Sequence, residues 1–204
     1  MPLNSDQQDA LAELVNIGVG RAAASLSDLT AARVELSVPS VLVCDLAGLK
    51  AHVESGREPF ETLICQDFKG GLSGRAVLAF PRTSALKFAQ LLGNLAAVPD
   101  DQDLDLRGIL MEVGNIVLNA VLGCLGNIAG VRLSCAVPEL STETSVVQVM
   151  AAHLSAVEQP EKHNVFLADV QFQVAERDIC GSIAILFEFG GIASLLQALT
   201  APST

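Results

Sequence analysis

The stretch that decides the fold is Glu13-Leu14-Val15-Asn16-Ile17, because it recurs ninety-nine positions later as Glu112-Val113-Gly114-Asn115-Ile116. The same offset relates residues 33–39 to residues 132–138, where both segments end in Val-Pro. Similarity at a fixed distance along a chain indicates internal duplication. The sequence therefore predicts two copies of one structural unit, repeat one over residues 1–100 and repeat two over residues 101–204.

The second copy is longer than the first. Leu72–Phe80 resembles Ile179–Phe187 at an offset of 107, so eight residues have been gained in between. The gain falls around the polar stretch Glu158–Asn164, which is typical of a surface hairpin or loop. The acidic join near Val98–Asp103 is short for a flexible linker. We therefore expect one domain over residues 1–204, with both repeats sharing a sheet and a core.

Hydrophobic periodicity predicts the order helix, strands, helix in each repeat. Long helices are predicted over Ser5–Leu29 and Asp103–Ile128, and closing helices over Pro81–Leu92 and Gly191–Leu199. Seven β-branched or alternating runs are candidate strands: Arg33–Cys44, Glu61–Phe68, Gly71–Phe80, Val131–Val137, Ser145–Met150, Val165–Val174 and Ile179–Phe189. Hairpin-length connections favour an α+β fold with a mainly antiparallel sheet of about six strands, two long helices and two further helices.

Composition excludes several classes of function. A formal net charge of −11 would repel a phosphate backbone, so nucleic acid is not expected as a partner. Five cysteines without CxxC spacing indicate buried, reduced thiols and a cytoplasmic location. The first residues lack a secretion signal, and the apolar stretches look too short or too interrupted to span a membrane.

The two long helices each combine an apolar stripe with a polar face. Glu13 and Asn16 lie opposite the predicted packing stripe of the first helix, which is formed by Leu11, Leu14, Val15, Gly18, Ala22, Ser25 and Leu29. Asp9 and Gly20 join the outward face, with Ala12, Ala23 and Ala24 beside it, and Gly18 is expected to allow close packing on the sheet.

The second helix repeats this pattern. Its inward stripe is Leu110, Val113, Gly114, Val117, Val121 and Cys124, while Glu112, Asn115 and Asn119 point outward. A single exposed pair of this kind is usually only a solvated surface. Its duplication favours a docking surface for another protein.

Other chemistries have weaker support. His52, His153 and His163 are scattered, so we expect solvated loop or strand histidines and no metal site. The run Gly70–Arg75 lacks the Gly-Lys-Ser/Thr ending of a phosphate loop and is read as a tight turn. A nucleophilic serine or cysteine in a recognisable elbow is also missing.

The two Glu-x-x-Asn helices, the first of which also carries Asp9, resemble those of the CheC-type phosphatases of bacterial and archaeal chemotaxis. The signature of that family is a duplicated helix with Asp/Ser-x-x-x-Glu-x-x-Asn. The resemblance covers essentially the full chain. The second copy departs from the first, since Gly108 stands where the first copy has Asp9 and Asn119 where it has Gly20. We therefore expect the first site to be the stronger one.

The resemblance implies hydrolysis of the phosphoaspartate of a CheY-like response regulator in two-component chemotaxis signalling. Asn16 and Asn115 would orient the attacking water, as a glutamine does in GTPases. Glu13 and Glu112 would pair with the partner's active-site lysine, and Asp9, Gly20 and Asn119 are further candidate substrate contacts. The chain itself is expected to need no cofactor, because Mg²⁺ is held by the regulator.

Two alternatives stay open within the same family. One is an adaptor or flagellar-switch module that docks a response regulator without hydrolysing anything. The other is a protein that chiefly regulates a CheD-like receptor deamidase. Because two equivalent surfaces already lie in one chain, a monomer is expected.

Overall fold

Two long helices, α1 (Ser5–Thr30) and α4 (Leu104–Ile128), lie against each other in the computed structural model. The structure describes residues 5–30, 33–55, 59–92, 104–142, 144–155, 164–174, 177–187, 195 and 197. The other elements are β1 (Val34–Cys44), α2 (Leu46–Ser55), β2 (Phe60–Gly70), β3 (Gly74–Pro81), α3 (Arg82–Leu92), β4 (Leu133–Cys135), β5 (Glu139–Ser141), α5 (Val146–Ser155), β6 (Asn164–Val174) and β7 (Arg177–Phe187).

The strands form one seven-stranded sheet in which every described pairing is antiparallel. The order is β1-β6-β7-β3-β2-β4, and the short strand β5 also pairs with β2. The hairpin β6-β7 from the second half of the sequence therefore lies between β1 and β3 from the first half. The predicted α+β fold with a mainly antiparallel sheet is confirmed.

Helices cover both faces of the sheet. Because side chains alternate along a strand, neighbouring residues of β2 enter different layers of the core: Ile64 packs with α1, α3 and α4, whereas Leu63 packs with α2 and α5. The first layer contains an aromatic cluster of Phe80, Phe88 and Phe172, with ring centroids 4.9 to 5.5 Å apart. The Glu-x-x-Asn helices thus share one face of the sheet.

The predicted strand over Ser145–Met150 is wrong, because this segment forms helix α5. Val146, Met150 and Leu154 recur every four residues and are buried on one helix face. A capping box also fixes the start of the helix: the Gln148 N–H donates to Ser145 Oγ at 3.3 Å, and the Ser145 N–H donates to Gln148 Oε1 at 2.9 Å. Periodicity and capping therefore override the β-branched composition.

Helix α2 was not predicted from the sequence. It follows β1 directly, and Asp45 caps its first turn by accepting the Gly48 N–H at 2.8 Å. The predicted strand over Val131–Val137 is also shorter than expected, since only β4 pairs there and β5 follows it. The other described helices and strands agree with the predicted elements to within a few residues.

Close packing at Gly18 is confirmed, but its partner is a helix instead of the sheet. A Cβ atom at Gly18 would lie 2.9 Å from the Cα of Val121 on α4. The inward stripe of α1 is also shifted from the prediction: Ser25 and Leu29 are exposed, whereas Ala23 is buried. These differences arise because α1 packs on both α4 and β1.

Three predictions fall mainly on residues that the structure does not describe: the join near residues 98–103, the inserted loop around residues 158–164 and the closing helix over residues 191–199. Of that last range only Leu195 and Gln197 are described, and both are helical. The expectation that the apolar stretches are too short or too interrupted to span a membrane is wrong for α4, which over Leu106–Ile128 is long and apolar enough by length and composition. Its buried stripe packs in the protein core, which accounts for its apolar character.

Candidate functional site

Glu13 and Asn16 lie one helical turn apart on α1, on the side away from its core stripe. Glu13 is exposed and Asn16 is half-buried, while Leu14 and Val15 between them are buried. A spacing of three residues places two side chains on the same helical face. The carboxylate and the carboxamide can therefore reach the same bound partner.

The Asn16 carboxamide forms a hydrogen bond with the backbone of β1, at a point where the pairing of that strand is irregular. The pairing of β1 with β6 shifts register between Ser37 and Ser40, and the Val38 N–H donates to Asn16 Oδ1 at 3.2 Å. A backbone N–H can only donate, so the amide oxygen of Asn16 must face β1. The described residues supply no hydrogen-bond partner for its Nδ2 group, which therefore remains a donor for a bound partner.

The second pair, Glu112 and Asn115, occupies the corresponding turn of α4. Glu112 is exposed and Asn115 is half-buried, and the predicted inward stripe of this helix is buried throughout. Here the Asn115 oxygen accepts a hydrogen bond from Asn119 Nδ2 at 2.7 Å. Asn119 thus contacts the site residue directly, in addition to standing on the predicted outward face.

A residue that sequence reasoning missed, Gln66 on β2, completes this arrangement. Its Nε2 group donates to Asn119 Oδ1 at 3.3 Å and to the Ala136 carbonyl at 2.8 Å. Gln66 is only 1 % exposed. The available signal was weak, because Gln66 is an uncharged polar residue at a buried position of β2 and Thr62 on the same strand is another.

An open groove with a volume of about 470 Å³ borders the second pair. Its lining combines polar and apolar side chains: Gln66, Met111, Glu112, Asn115, Asn119, Cys135, Val137 and Pro138. Val137 is 80 % exposed, and Ile17, next to Asn16, is 44 % exposed. Each polar pair therefore has an accessible apolar side chain nearby, as protein contact surfaces do.

The residues that accompany the pairs differ between the two helices. Asp9, Gly20 and Gly108 are all exposed. A Cβ atom at Gly20 or Gly108 would meet no heavy atom within 4 Å. Helix α1 thus has no side chain at Gly20, where α4 has Asn119, and α4 has none at Gly108, where α1 has Asp9.

Other ionisable groups lie away from the two pairs. The Arg75 guanidinium donates to both carboxylate oxygens of Asp67, at 2.6 and 2.9 Å, and this hydrogen bonding lowers the pKa of the Asp67 carboxyl. Burial raises the pKa of the Cys44 and Cys65 thiols to about 11. The expected burial is confirmed for Cys65 and Cys124, whereas Cys44 and Cys135 are half-buried and Cys180 is exposed.

The histidines differ from expectation in their secondary structure. His52 and His153 lie on helices α2 and α5, not on loops or strands, and His163 is outside the described residues. His52 Nε2 lies 3.3 Å from Asp169 Oδ1. Within the described ranges, His, Cys, Asp and Glu side chains form no group of three that could hold a metal ion.

A family model and a known sequence relative both point to CheC-like proteins. A model of the CheC-like family matches residues 7–43, which include the first Glu-x-x-Asn pair and the β1 segment that holds Asn16. The CheY-P phosphatase CheC of Bacillus subtilis (strain 168) is 24 % identical over 207 residues, covering 98 % of this chain and 96 % of that protein. The resemblance to the CheC-type family is confirmed.

Solved structures share the same fold. FliY of Thermotoga maritima superposes with a TM-score of 0.71 at 16 % identity, covering 98 % of both chains. A FliG–FliM complex from H. pylori contains a chain with a TM-score of 0.65 at 14 % identity, covering 96 % of this chain and 100 % of that chain. The likeness to these two structures is one of fold, the same α+β architecture.

Proposed function

We propose that this protein hydrolyses the phosphoaspartate of a CheY-like response regulator. The observation that carries the proposal is the pair of exposed Glu-x-x-Asn faces, in each of which the asparagine oxygen is held by a hydrogen bond of defined polarity. The CheY-P phosphatase among its relatives supports the same chemistry. Ile17 and Val137, exposed beside the two pairs, favour a protein substrate over a small molecule.

Docking would depend on the glutamates. The carboxylates of Glu13 and Glu112 are acceptors that can pair with the active-site lysine of the regulator, a charge-assisted contact that fixes the register. This contact brings Asn16 or Asn115, one helical turn away, towards the phosphoryl group. Because the acyl phosphate is already reactive, positioning supplies most of the acceleration.

The asparagines would orient the attacking water. A carboxamide oxygen has two lone pairs, so Asn16 can accept from both the Val38 N–H and a water molecule while its Nδ2 group donates. The water oxygen forms a bond to phosphorus as the bond to the aspartyl oxygen breaks. The products are inorganic phosphate and the regulator's free carboxylate, and no covalent intermediate on this chain is needed.

The regulator would supply the Mg²⁺ ion, so we propose no cofactor on this chain. All five cysteines are free thiols, a state that supports the cytoplasmic location we propose. Two sites within one chain make a monomer sufficient. The stronger site is expected to be the first, where Asp9 and Gly20 accompany the pair.

A second candidate is an adaptor that binds the regulator, or another signalling protein, without hydrolysis. The observation in its favour is the shared fold with FliM, which is found in a complex with FliG. The two functions differ in one measurable quantity, the lifetime of the phosphorylated regulator.

The test is the decay of a radiolabelled, phosphorylated CheY-like receiver domain with and without this protein. The phosphatase account predicts faster decay, and a Glu13→Ala plus Glu112→Ala variant with a raised KM. Glu54→Ala is a matched control, because Glu54 is an exposed glutamate on α2, across the sheet from both pairs. Binding of the receiver domain without any acceleration would assign the adaptor function instead.

A further inference from the structure

The second site contains a continuous chain of three side-chain amides. Gln66 Nε2 donates to Asn119 Oδ1 at 3.3 Å, and Asn119 Nδ2 donates to Asn115 Oδ1 at 2.7 Å. This series of hydrogen bonds starts at the Ala136 carbonyl, which accepts the other N–H of Gln66 at 2.8 Å. We refer to Gln66, Asn119 and Asn115 as the amide relay.

The anchor sets the direction of the whole amide relay. The Ala136 carbonyl can only accept, so the Gln66 amide nitrogen must face it. The same nitrogen then requires an oxygen from Asn119, whose nitrogen in turn requires the oxygen of Asn115. Consequently the Asn115 Nδ2 group is left pointing away from the relay, as a donor available to a bound partner.

The first site reaches an equivalent result with a different anchor. There the Val38 N–H from the irregular part of β1 binds Asn16 Oδ1 directly. Gly20, in the position of Asn119, provides no side chain for a relay. The two asparagines therefore present the same group outward, one through a backbone contact and the other through two further side chains.

The burial of Gln66 is itself unusual. Gln66 is 1 % exposed, and its Oε1 atom is buried with no hydrogen-bond partner among the described residues. A buried polar group with an unsatisfied atom is costly, and an apolar residue of similar shape would avoid that cost. Because this cost is not offset by packing, we expect the Gln66 amide to have a role beyond packing.

We propose that Gln66, acting through Asn119, is the positioning residue of the second site: it holds the Asn115 carboxamide in the orientation that directs the attacking water. This inference rests on the proposed function and adds to it. Asn119, which replaces the glycine of the first copy, thereby does for Asn115 what the Val38 N–H does for Asn16.

Kinetics in two backgrounds test this role. Asn16→Ala leaves only the second site to act, and Asn115→Ala leaves only the first. Gln66→Met in the Asn16→Ala background is expected to lower kcat about tenfold with an unchanged KM, because docking through Glu112 is intact. In the Asn115→Ala background the same substitution should change kcat less than about twofold. An equal loss in both backgrounds, or no loss in the first, overturns the proposal.

A second variant avoids the core altogether. Asn119→Ala removes the middle of the amide relay from an exposed helix position and should reproduce the selective loss of kcat. Because both variants break one relay, the double variant Gln66→Met plus Asn119→Ala should also lose about tenfold, not about a hundredfold. Multiplicative losses would show that the two residues act separately and would overturn the relay.

Nuclear magnetic resonance reads the relay without any turnover. In Gln66→Met the side-chain ¹⁵N order parameter of Asn115 should fall, whereas that of Asn16 should stay unchanged. An unchanged Asn115 amide would overturn the positioning role even if activity fell. Conversely, a wild-type protein that does not accelerate phosphate loss refutes the proposed function, and the order parameters still decide the role of Gln66.

Discussion

Alanine substitution should stabilise the protein at one glycine of α1 and not at another. Both Gly18→Ala and Gly20→Ala gain about 1 kcal/mol of helix propensity. At Gly20 the new Cβ meets no heavy atom within 4 Å, so the full gain is expected. At Gly18 it would lie 2.9 Å from Val121 Cα and 3.2 Å from Val121 Cγ2. Overpacking against a backbone atom costs about 1–3 kcal/mol, so the two variants should differ by about that amount.

Thermal denaturation followed by circular dichroism measures the difference directly, with Gly20→Ala as the matched control on the same helix. For a chain of this size each kcal/mol corresponds to about 2–4 °C in Tm. Gly20→Ala should therefore melt higher than wild type and Gly18→Ala should melt below Gly20→Ala. Equal stabilisation by both substitutions would refute the described contact between α1 and α4.

Three further predictions concern the sheet and its thiols. Arg75→Met should destabilise the protein by up to about 1 kcal/mol near neutral pH. Because Arg75 lowers the pKa of Asp67, the difference in urea midpoint between the variant and wild type should shrink as pH falls below about 4 through that lowered pKa. A pH-independent difference would contradict the ion pair. Iodoacetamide at pH 7.5 should alkylate the exposed Cys180 before the buried Cys65, whose thiol pKa is about 11. Peptide mass spectrometry measures the order of alkylation, and the reverse order would contradict the burial of Cys65. Phe88→Ala should cost about 3–5 kcal/mol in urea denaturation, because a fully buried ring leaves a cavity; a loss below about 1 kcal/mol would contradict the aromatic cluster.

The features that sequence reasoning predicted are those with strong local periodicity. Both Glu-x-x-Asn helices show a long apolar stripe, and β6 and β7 are long runs in which buried apolar residues recur. The placement of Glu13 and Glu112 on exposed faces followed from the same periodicity. These signals are local, so one sequence sufficed to recognise them.

The errors have identifiable physical causes. In α5 the β-branched composition outweighed two helix signals that were present, the four-residue spacing of buried residues and the Ser145–Gln148 capping box. Gln66 could not be assigned to the site from the sequence, because its contact with Asn119 depends on β2 packing against α4. Long-range packing of this kind leaves only a weak signal in the local pattern, since Thr62 on the same strand is also polar and buried.

The most direct test of the central proposal is the activity of the Asn16→Ala plus Asn115→Ala variant towards a phosphorylated receiver domain. The measurement follows phosphate loss at saturating variant, with binding and circular dichroism checked on the same sample. The account predicts that the variant still binds and is folded but no longer shortens the lifetime of the phosphorylated domain. Wild-type acceleration by this double variant would contradict the assignment of the water-orienting role to the two asparagines.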